Sequence, residues 1–420
     1  MSRQISPLPW ADWLSGDAGA KSIDDMLHRG LGRRLSDWLN PAERERLGEP
    51  HCPVRLQPGE FGVLLCPVSA TGPLQAGLVL PCRWLSPSDS DASSAAKRVP
   101  KGLRELADGS AVRLSAMQCV DRNDAHARQF VSGARLAVGE CIGNLSDFKL
   151  SPESAGAALA VTLALAALKA SPRLDCAVSA TVHPNHGLGL VSGLADKVDA
   201  ARRANITEVF VANAQGDRPE GCTVIDGHSA SAQFSSLMLK FDAPPEDGTK
   251  EEKWRWYKRV SGASDPASKH AANVFYVKNL VESAAASARA SASGLTSVDE
   301  LVLMATGSQE PSLASIALHR PKRLIVLTID GNSKKFADGL RELCKLLDPQ
   351  LVPAEMGQRS LEEWIQSDEP APKGRRCMVD LTGGTTAAKV RVLDHSRKRS
   401  MSVSCLDSAE GFDRLKFQPL

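Results

Sequence analysis

Residues 155–168, AGAALAVTLALAAL, run for fourteen positions with one polar side chain, Thr162. A helix of this composition has no face to give to water, so the rest of the chain must fold around it. Its start is marked: Ser151 suits an N-cap, Pro152 the first helical position, and Glu153 the positive end of the helix dipole. The run is too short and too alanine-rich for a bilayer span, and no longer apolar run occurs elsewhere. Taken alone, Ser154 reads as an ordinary first-turn residue.

The 420 residues suffice for two or three domains. Lys+Arg 51 against Asp+Glu 49 excludes a charge imbalance that would call for nucleic acid. The ten cysteines form no CxxC pair or zinc spacing, so reduced thiols in a cytoplasmic protein are expected. The N-terminus, with Trp10 and Trp13 among polar residues, lacks the pattern of a secretory signal.

Along the chain, SIDDMLHRGLGRRLSDWL within residues 1–60 reads as a helix, and 61–83 as two strands around a Thr-Gly-Pro turn. The serine-rich stretch 86–102 reads as a surface loop or disordered insert. The block 147–240 holds the buried helix, the strand CAVSATV, the loop HPNHGLGLVSG, the helix LADKVDAARRAN and the strand EVFVANA. A shift to Pro, Gly and dense charge from residue 241 reads as a boundary. From about 297, strands ELVLMAT, RLIVLTI, CMVDL and SMSVSCL alternate with helical stretches, the pattern of parallel βα units in an open, Rossmann-like sheet.

A serine nucleophile needs a base. His183 and His186 lie in a loop without metal-ligand spacing and read as solvated. Lys197 falls within the apolar stripe Leu194, Val198, Ala201 and Ala204, opposite Asp196, Asp199, Arg202 and Arg203. A lysine there either snorkels to water or is desolvated. Burial and the helix dipole both lower a lysine's pKa, as a general base requires. In isolation the snorkelling reading is the better one; the pair changes the weighing.

ESAG around Ser154 and SGLADK around Lys197, 43 residues apart, resemble the Ser-Lys dyad of the Lon proteases, which carry PSAG-like and GGLKEK-like stretches at that separation. The trailing AARRANITEVFVANA resembles the family's helix-then-strand AARRAGIKTVIIP. The resemblance covers about 147–240 and implies Ser154 as nucleophile, Lys197 as general base and Ser179 as the hydroxyl that orients the lysine. It departs in Ser151-Pro152-Glu153, where the family has Asp-Gly-Pro, in Ser179-Ala180-Thr181 for Thr-Gly-Glu, and in VSG for IGG. No GxxxxGK[ST] sequence occurs, so an ordinary Lon's ATPase is absent. SPESAG, with one glycine, is a poor phosphate cradle, which ranks a small-molecule kinase of related architecture low.

Two loops of the alternating region hold hydroxyls and glycines at strand ends: Thr306, Gly307, Ser308 and Gln309, then Thr382, Gly383, Gly384, Thr385 and Thr386. Backbone amides at such places attract phosphate. If strand order reverses between the two strands, both loops meet at the switch-point crevice. KGRR at 373–376 and Lys389 add positive charge. ATGSQEP and DLTGGTT resemble the TGSxxP-like loop and DLTGGTK motif of the CRISPR-associated Rossmann fold (CARF) family, with Thr386 where that family often has lysine.

Together the resemblances imply an α/β chain: a Lon-like protease domain of α+β type at 1–240, whose first 60 residues could form a separate helical appendage, a charged linker and connector helix at 241–295, and a Rossmann-like CARF domain at 296–420. They imply a cytoplasmic serine endopeptidase of a type III CRISPR antiviral system. It needs no catalytic cofactor or metal. It is activated by a cyclic oligoadenylate, cyclic tetra-adenylate being the first choice, and acts on a partner protein encoded nearby. The chain is expected to form a homodimer through the CARF domain, without membrane or direct DNA binding. A non-catalytic sensor and a ring nuclease stay open as alternatives.

Overall fold

A computed structural model describes residues 56–65, 78–138, 152–183, 187–212, 219–225, 229–263, 266–290, 297–305, 309–329, 331–367, 374–407 and 416–420. The helix expected within residues 1–60 and the turn between the first two strands lie outside them. The chain divides into two compact units, one ending at Ala243 and one running from Pro244 to Leu420. Both combine helices with sheets rich in parallel pairings.

In the first unit, β1 (Phe61–Leu65) pairs antiparallel with β2 (Leu78–Leu85), and β2 with β3 (Arg135–Val138). All five residues of β1 are buried, as befits a strand covered on both faces. Four helices connect β2 to β3: α1 (Ala92–Lys97), α2 (Lys101–Asp108), α3 (Ser110–Gln118) and α4 (Ala125–Gly133). The serine-rich stretch is thus partly helical rather than a loop. Ala92, Ala95 and Ala96, at i, i+3 and i+4, put one buried face beneath its polar side chains.

The apolar run forms α5 (Gly156–Ala167), entered through a single 3-10 turn, Glu153–Ala155. Every residue from Gly156 to Leu165 is buried, because α2, α3, α4 and the sheet all pack on it. The sheet continues in parallel through β4 (Cys176–Ser179), β7 (Glu208–Val211) and β8 (Cys222–Val224), in the order β3-β2-β1-β4-β7-β8. Between β4 and β7 come a hairpin, β5 (Thr181–His183) with β6 (Gly187–Gly189), and the helix α6 (Leu194–Arg203). Helix α7 (Ala230–Phe241) closes the unit. A Cβ on Gly62 would stand 3.1 Å from Ile206, which directly follows α6, so that face of the sheet is the α6 face. Trp84 points the other way and donates Nε1 to Thr162 of α5 at 3.0 Å. Helices α5 and α6 therefore cover opposite faces.

The second unit opens with α8 (Lys250–Ser261), α9 (Pro266–Asn279) and α10 (Val281–Ala290). Trp254, Trp256, Tyr257, Phe275 and Tyr276 are buried among them, which makes this charged stretch a packed layer. The alternating region gives β9 (Glu300–Met304), α11 (Glu310–His319), β10 (Arg323–Thr328), α12 (Gly331–Cys344), β11 (Glu355–Ser360), α13 (Leu361–Gln366), β12 (Cys377–Asp380), α14 (Thr386–Lys398), β13 (Ser402–Asp407) and β14 (Lys416–Pro419). Strand order is β11-β10-β9-β12-β13-β14, parallel except for the β13–β14 pair. Order reverses between β9 and β12, as in doubly wound α/β sheets, whose ligand crevice lies at that point.

Candidate active site and ligand edge

The serine turn is stitched to the end of β4. Ser154 O accepts from Ala180 N at 3.0 Å, and Ala157 N donates to Ala180 O at 3.1 Å. Gly156 permits this approach, since a Cβ there would come within 3.2 Å of Val182. Ser179, the last residue of β4, lies two positions after Ala177, which pairs with Gly62; its side chain therefore points to the α6 face. Helix α6 follows β4 after the β5–β6 hairpin and packs on β1 and β2. Lys197 lies in its first turns. The serine turn thus places Ser154 beside Ser179 at the end of β4, and Lys197 is buried on α6, further along the chain.

Ser154 is 8% exposed and Lys197 2%. Asp196 and Asp199 face solvent, so the amphipathic pattern of α6 holds with the lysine on its inner side. Lys197 Nζ donates to Ser192 O at 3.0 Å, in the turn ahead of its own helix. Ser179 Oγ is fully buried and makes no hydrogen bond. The expected orienting contact between Ser179 and Lys197 is therefore not made in this arrangement; the carbonyl of Ser192 takes the ammonium instead. The amides of Ala155, Gly156 and Ala157 are engaged by Pro152 O, Glu153 O and Ala180 O, so in this arrangement they are not open to an oxyanion. His183 is exposed, with Nε2 at 3.4 Å from Thr181 Oγ1, and His186 lies outside the described residues.

At the carboxyl edge of the second sheet, Thr306, Gly307 and Ser308 lie outside the described residues. Gln309 turns toward the helices: its Oε1 accepts from Asn273 Nδ2 at 3.1 Å, and its Nε2 fills the space where a Cβ on Gly339 would stand 2.7 Å away. The loop after β12 is more open. Thr382 N donates to Asp380 Oδ1 at 2.6 Å, and Thr382 Oγ1 accepts from Leu406 N at 2.7 Å. Lys389 Nζ, from the first turns of α14, donates to Thr382 O at 3.3 Å. Gly384 has φ +83°, and a Cβ there would be 2.8 Å from Met304 Sδ; sign and space both require glycine. Thr385 caps α14 by accepting from Ala388 N at 3.3 Å. Thr385 and Thr386 are exposed, and Gly383 is half-buried. Of KGRR, the residues 374–376 precede β12, at the edge opposite these loops, and supply no charge to them.

Two buried titratable groups lie beneath this edge on the α11 face. Asp380 accepts from Ser315 Oγ, and burial raises its carboxyl pKa against these bonds and the charge of Lys389. Burial lowers the His319 pKa to about 4; its Nδ1 has no partner, and its Nε2 lies 3.5 Å from Ser404 Oγ. Asp380 falls within DLTGGT but was not singled out from the sequence; Asn273 and Ser315 gave no sequence signal. Among the described residues, no cluster of His, Cys, Asp and Glu is arranged for a metal, and no helix is long and apolar enough to cross a membrane. The described cysteines are free thiols. No known protein-family model matches the chain, and a search of curated proteins finds no match.

Proposed function

We propose that the chain is an ATP-independent serine endopeptidase of the Lon-like Ser-Lys type, gated by a cyclic oligoadenylate bound to a CARF-like second unit in type III CRISPR defence. The observation that carries the catalytic half is a lysine 2% exposed in the first turns of α6, the helix that follows β4 in the chain, where β4 is the strand to whose end the serine turn is fastened. A lysine withdrawn from water can serve as a general base. In the competent arrangement Lys197 Nζ leaves Ser192 O and takes the proton of Ser154 Oγ. Ser179, without a partner in this arrangement, replaces Ser192 in holding the amine. Ser154 Oγ attacks the peptide carbonyl, the leaving amine takes the proton, and water assisted by Lys197 releases the acyl group. The arrangement described above is then the resting one, its amides closed to an oxyanion.

The ligand half is supported by the reversal between β9 and β12 and by the exposed hydroxyls of Thr385 and Thr386 at that edge. A homodimer through this unit would seat a two-fold ring. Moving the protease from about 1% to 99% competent takes roughly 5.5 kcal/mol of differential ligand affinity. Without an ATPase to unfold substrates, the enzyme would cut a partner protein at an accessible loop.

The test is terminal-peptide proteomics on host lysate, including proteins encoded beside this one, with and without cyclic tetra- and hexa-adenylate. New termini should require both ligand and Ser154. Ser154→Ala and Lys197→Ala should each lower cleavage by about 10³-fold or more, with melting temperature checked in parallel. Ser179→Ala should slow cleavage without lowering the melting temperature, since an unpartnered hydroxyl contributes no bond to lose. Absence of Ser154-dependent termini from a ligand-saturated protein would favour a non-catalytic sensor.

A further inference from the structure

The arginines of KGRR, Arg375 and Arg376, take no part in the ligand edge, yet both are exposed. They precede β12 at the amino edge of the second sheet, where the turns before β10 and β13 also lie. Those turns carry Arg320 and Lys322, then Arg397, Lys398 and Arg399. The carboxylates beside them are already engaged. Asp299 holds Lys322 at 2.9 Å, Glu300 and Glu355 hold Arg323 at 3.0 and 3.6 Å, and Asp394 holds Lys398 at 2.6 Å. Among the described residues no carboxylate pairs with Arg320, Arg375 or Arg397, and all three are exposed.

The cations of separate turns act on the same neighbours. Burial raises the Cys377 thiol, with Glu300 and Asp299 adding to it, while Arg375 and Arg399 both oppose the rise. Burial lowers the His395 pKa, and the charges of Arg399 and Lys398 lower it further. A cation at a helix end offsets the dipole, which accounts for Arg320 closing α11 and Arg397 in the last turn of α14; Arg375 and Arg376 end no helix. Arg320 also sits at φ +45°, a left-handed position that glycine or asparagine fills at less cost, so the turn itself does not call for arginine. In the order β10-β9-β12-β13 the three turns span three strand spacings, roughly 14 Å. Each strand of a nucleic-acid duplex presents about four phosphates over that length. The exposed large apolar side chains among the described residues are all aliphatic, which leaves no platform for stacked bases. Arginine's planar fork suits phosphate oxygens. We propose that the amino edge of the second sheet binds the phosphate backbone of a nucleic-acid duplex through Arg320, Arg375 and Arg397, without reading its sequence. The near-equal totals of 51 basic and 49 acidic residues conceal this local excess. The surface lies at the edge opposite the ring-binding loops and does not rest on the cyclic-oligoadenylate reading.

The test is fluorescence anisotropy of the full-length protein with labelled duplex DNA and duplex RNA of about 20 base pairs, at salt from about 50 to about 200 mM. Binding of either duplex, with log K falling linearly against log salt, supports the proposal, and the comparison names DNA or RNA as the source of the phosphate. The triple variant Arg320→Gly, Arg375→Ala and Arg397→Ala keeps the left-handed turn and replaces only exposed side chains, so its melting temperature should match the wild type. It should bind about tenfold or more weakly and lower the salt slope by about 2 to 3. A matched variant, Lys97→Ala, Lys101→Ala and Arg122→Ala, removes exposed charge from the first unit and should leave affinity and slope unchanged. Failure of both duplexes to bind at about 50 mM salt overturns the proposal, as does equal weakening by the two triple variants. Poly-glutamate bound as tightly as the duplexes, with the same dependence on the three arginines, would overturn the nucleic-acid assignment and give the edge to an acidic protein segment.

Discussion

His319 and Asp380 sit beneath the same edge and respond to pH in opposite senses. Burial lowers the His319 pKa from 6.5 to about 4. Its contribution to stability is therefore present above 6.5 and is lost as pH falls toward about 4, by about 3 kcal/mol if the shift is fully realised. Asp380 is raised from 3.8, so its contribution is present below 3.8 and is lost as pH climbs toward its folded value. Denaturant unfolding across pH 4–8 should separate them. His319→Phe should flatten the acidic limb while keeping the ring contact with Phe417. Asp380→Asn should flatten the other, since an amide still accepts from Thr382 N and still pairs with Ser315. If the His319→Phe profile follows the wild type below 6.5, the histidine is not the group responsible.

At the scale of elements, the loop between β12 and α14 is set by one glycine. Gly384→Ala forces a side chain into a left-handed backbone and against Met304. It should destabilise the second unit by about 1–3 kcal/mol and, on the proposed function, weaken cyclic oligoadenylate binding with it, measured by melting and calorimetry on one preparation. A variant as stable and as tightly bound as the wild type would contradict the geometry. What sequence could reveal at this scale follows burial. Strands β9, β10, β12 and β13 were legible because they carry apolar residues that the sheet requires. Strand β11 was not: EMGQRS is an edge strand whose side chains are only partly buried, so it needs no apolar pattern. Helices α1 and α8 were hidden for a related reason, with buried faces of three alanines or of Trp and Tyr set among serine and charge. Residues 154 and 197 are paired only by the resemblance, as an expectation; the bond from Lys197 to Ser192 has no sign in the sequence, because backbone carbonyls carry no residue signature.

For the whole molecule, each unit has a core of its own: one around α5 and its sheet, the other including Val302, Ile325, Leu327, Val379 and Val392. The helices at 250–290 count within the second unit, not between the two. A fragment of residues 244–420 should therefore melt cooperatively and, on the proposed function, bind cyclic oligoadenylate as the full chain would, as read by calorimetry. One cut at 296 instead loses α8, α9 and α10 and should fail to fold, because α10 packs along α11.

The helix buried on all sides has a consequence for how this protein can vary. An ordinary surface helix tolerates change with a 3.6-residue rhythm, as α6 should, its exposed aspartates free to drift while its inner residues stay. Residues 156–165 have no outward position. A saturation scan across them should return an unbroken block of intolerance, with no rhythm at all. The serine turn is mounted at the head of that block, so the placement of Ser154, the proposed nucleophile, is inherited from the part of the chain with the least freedom to change.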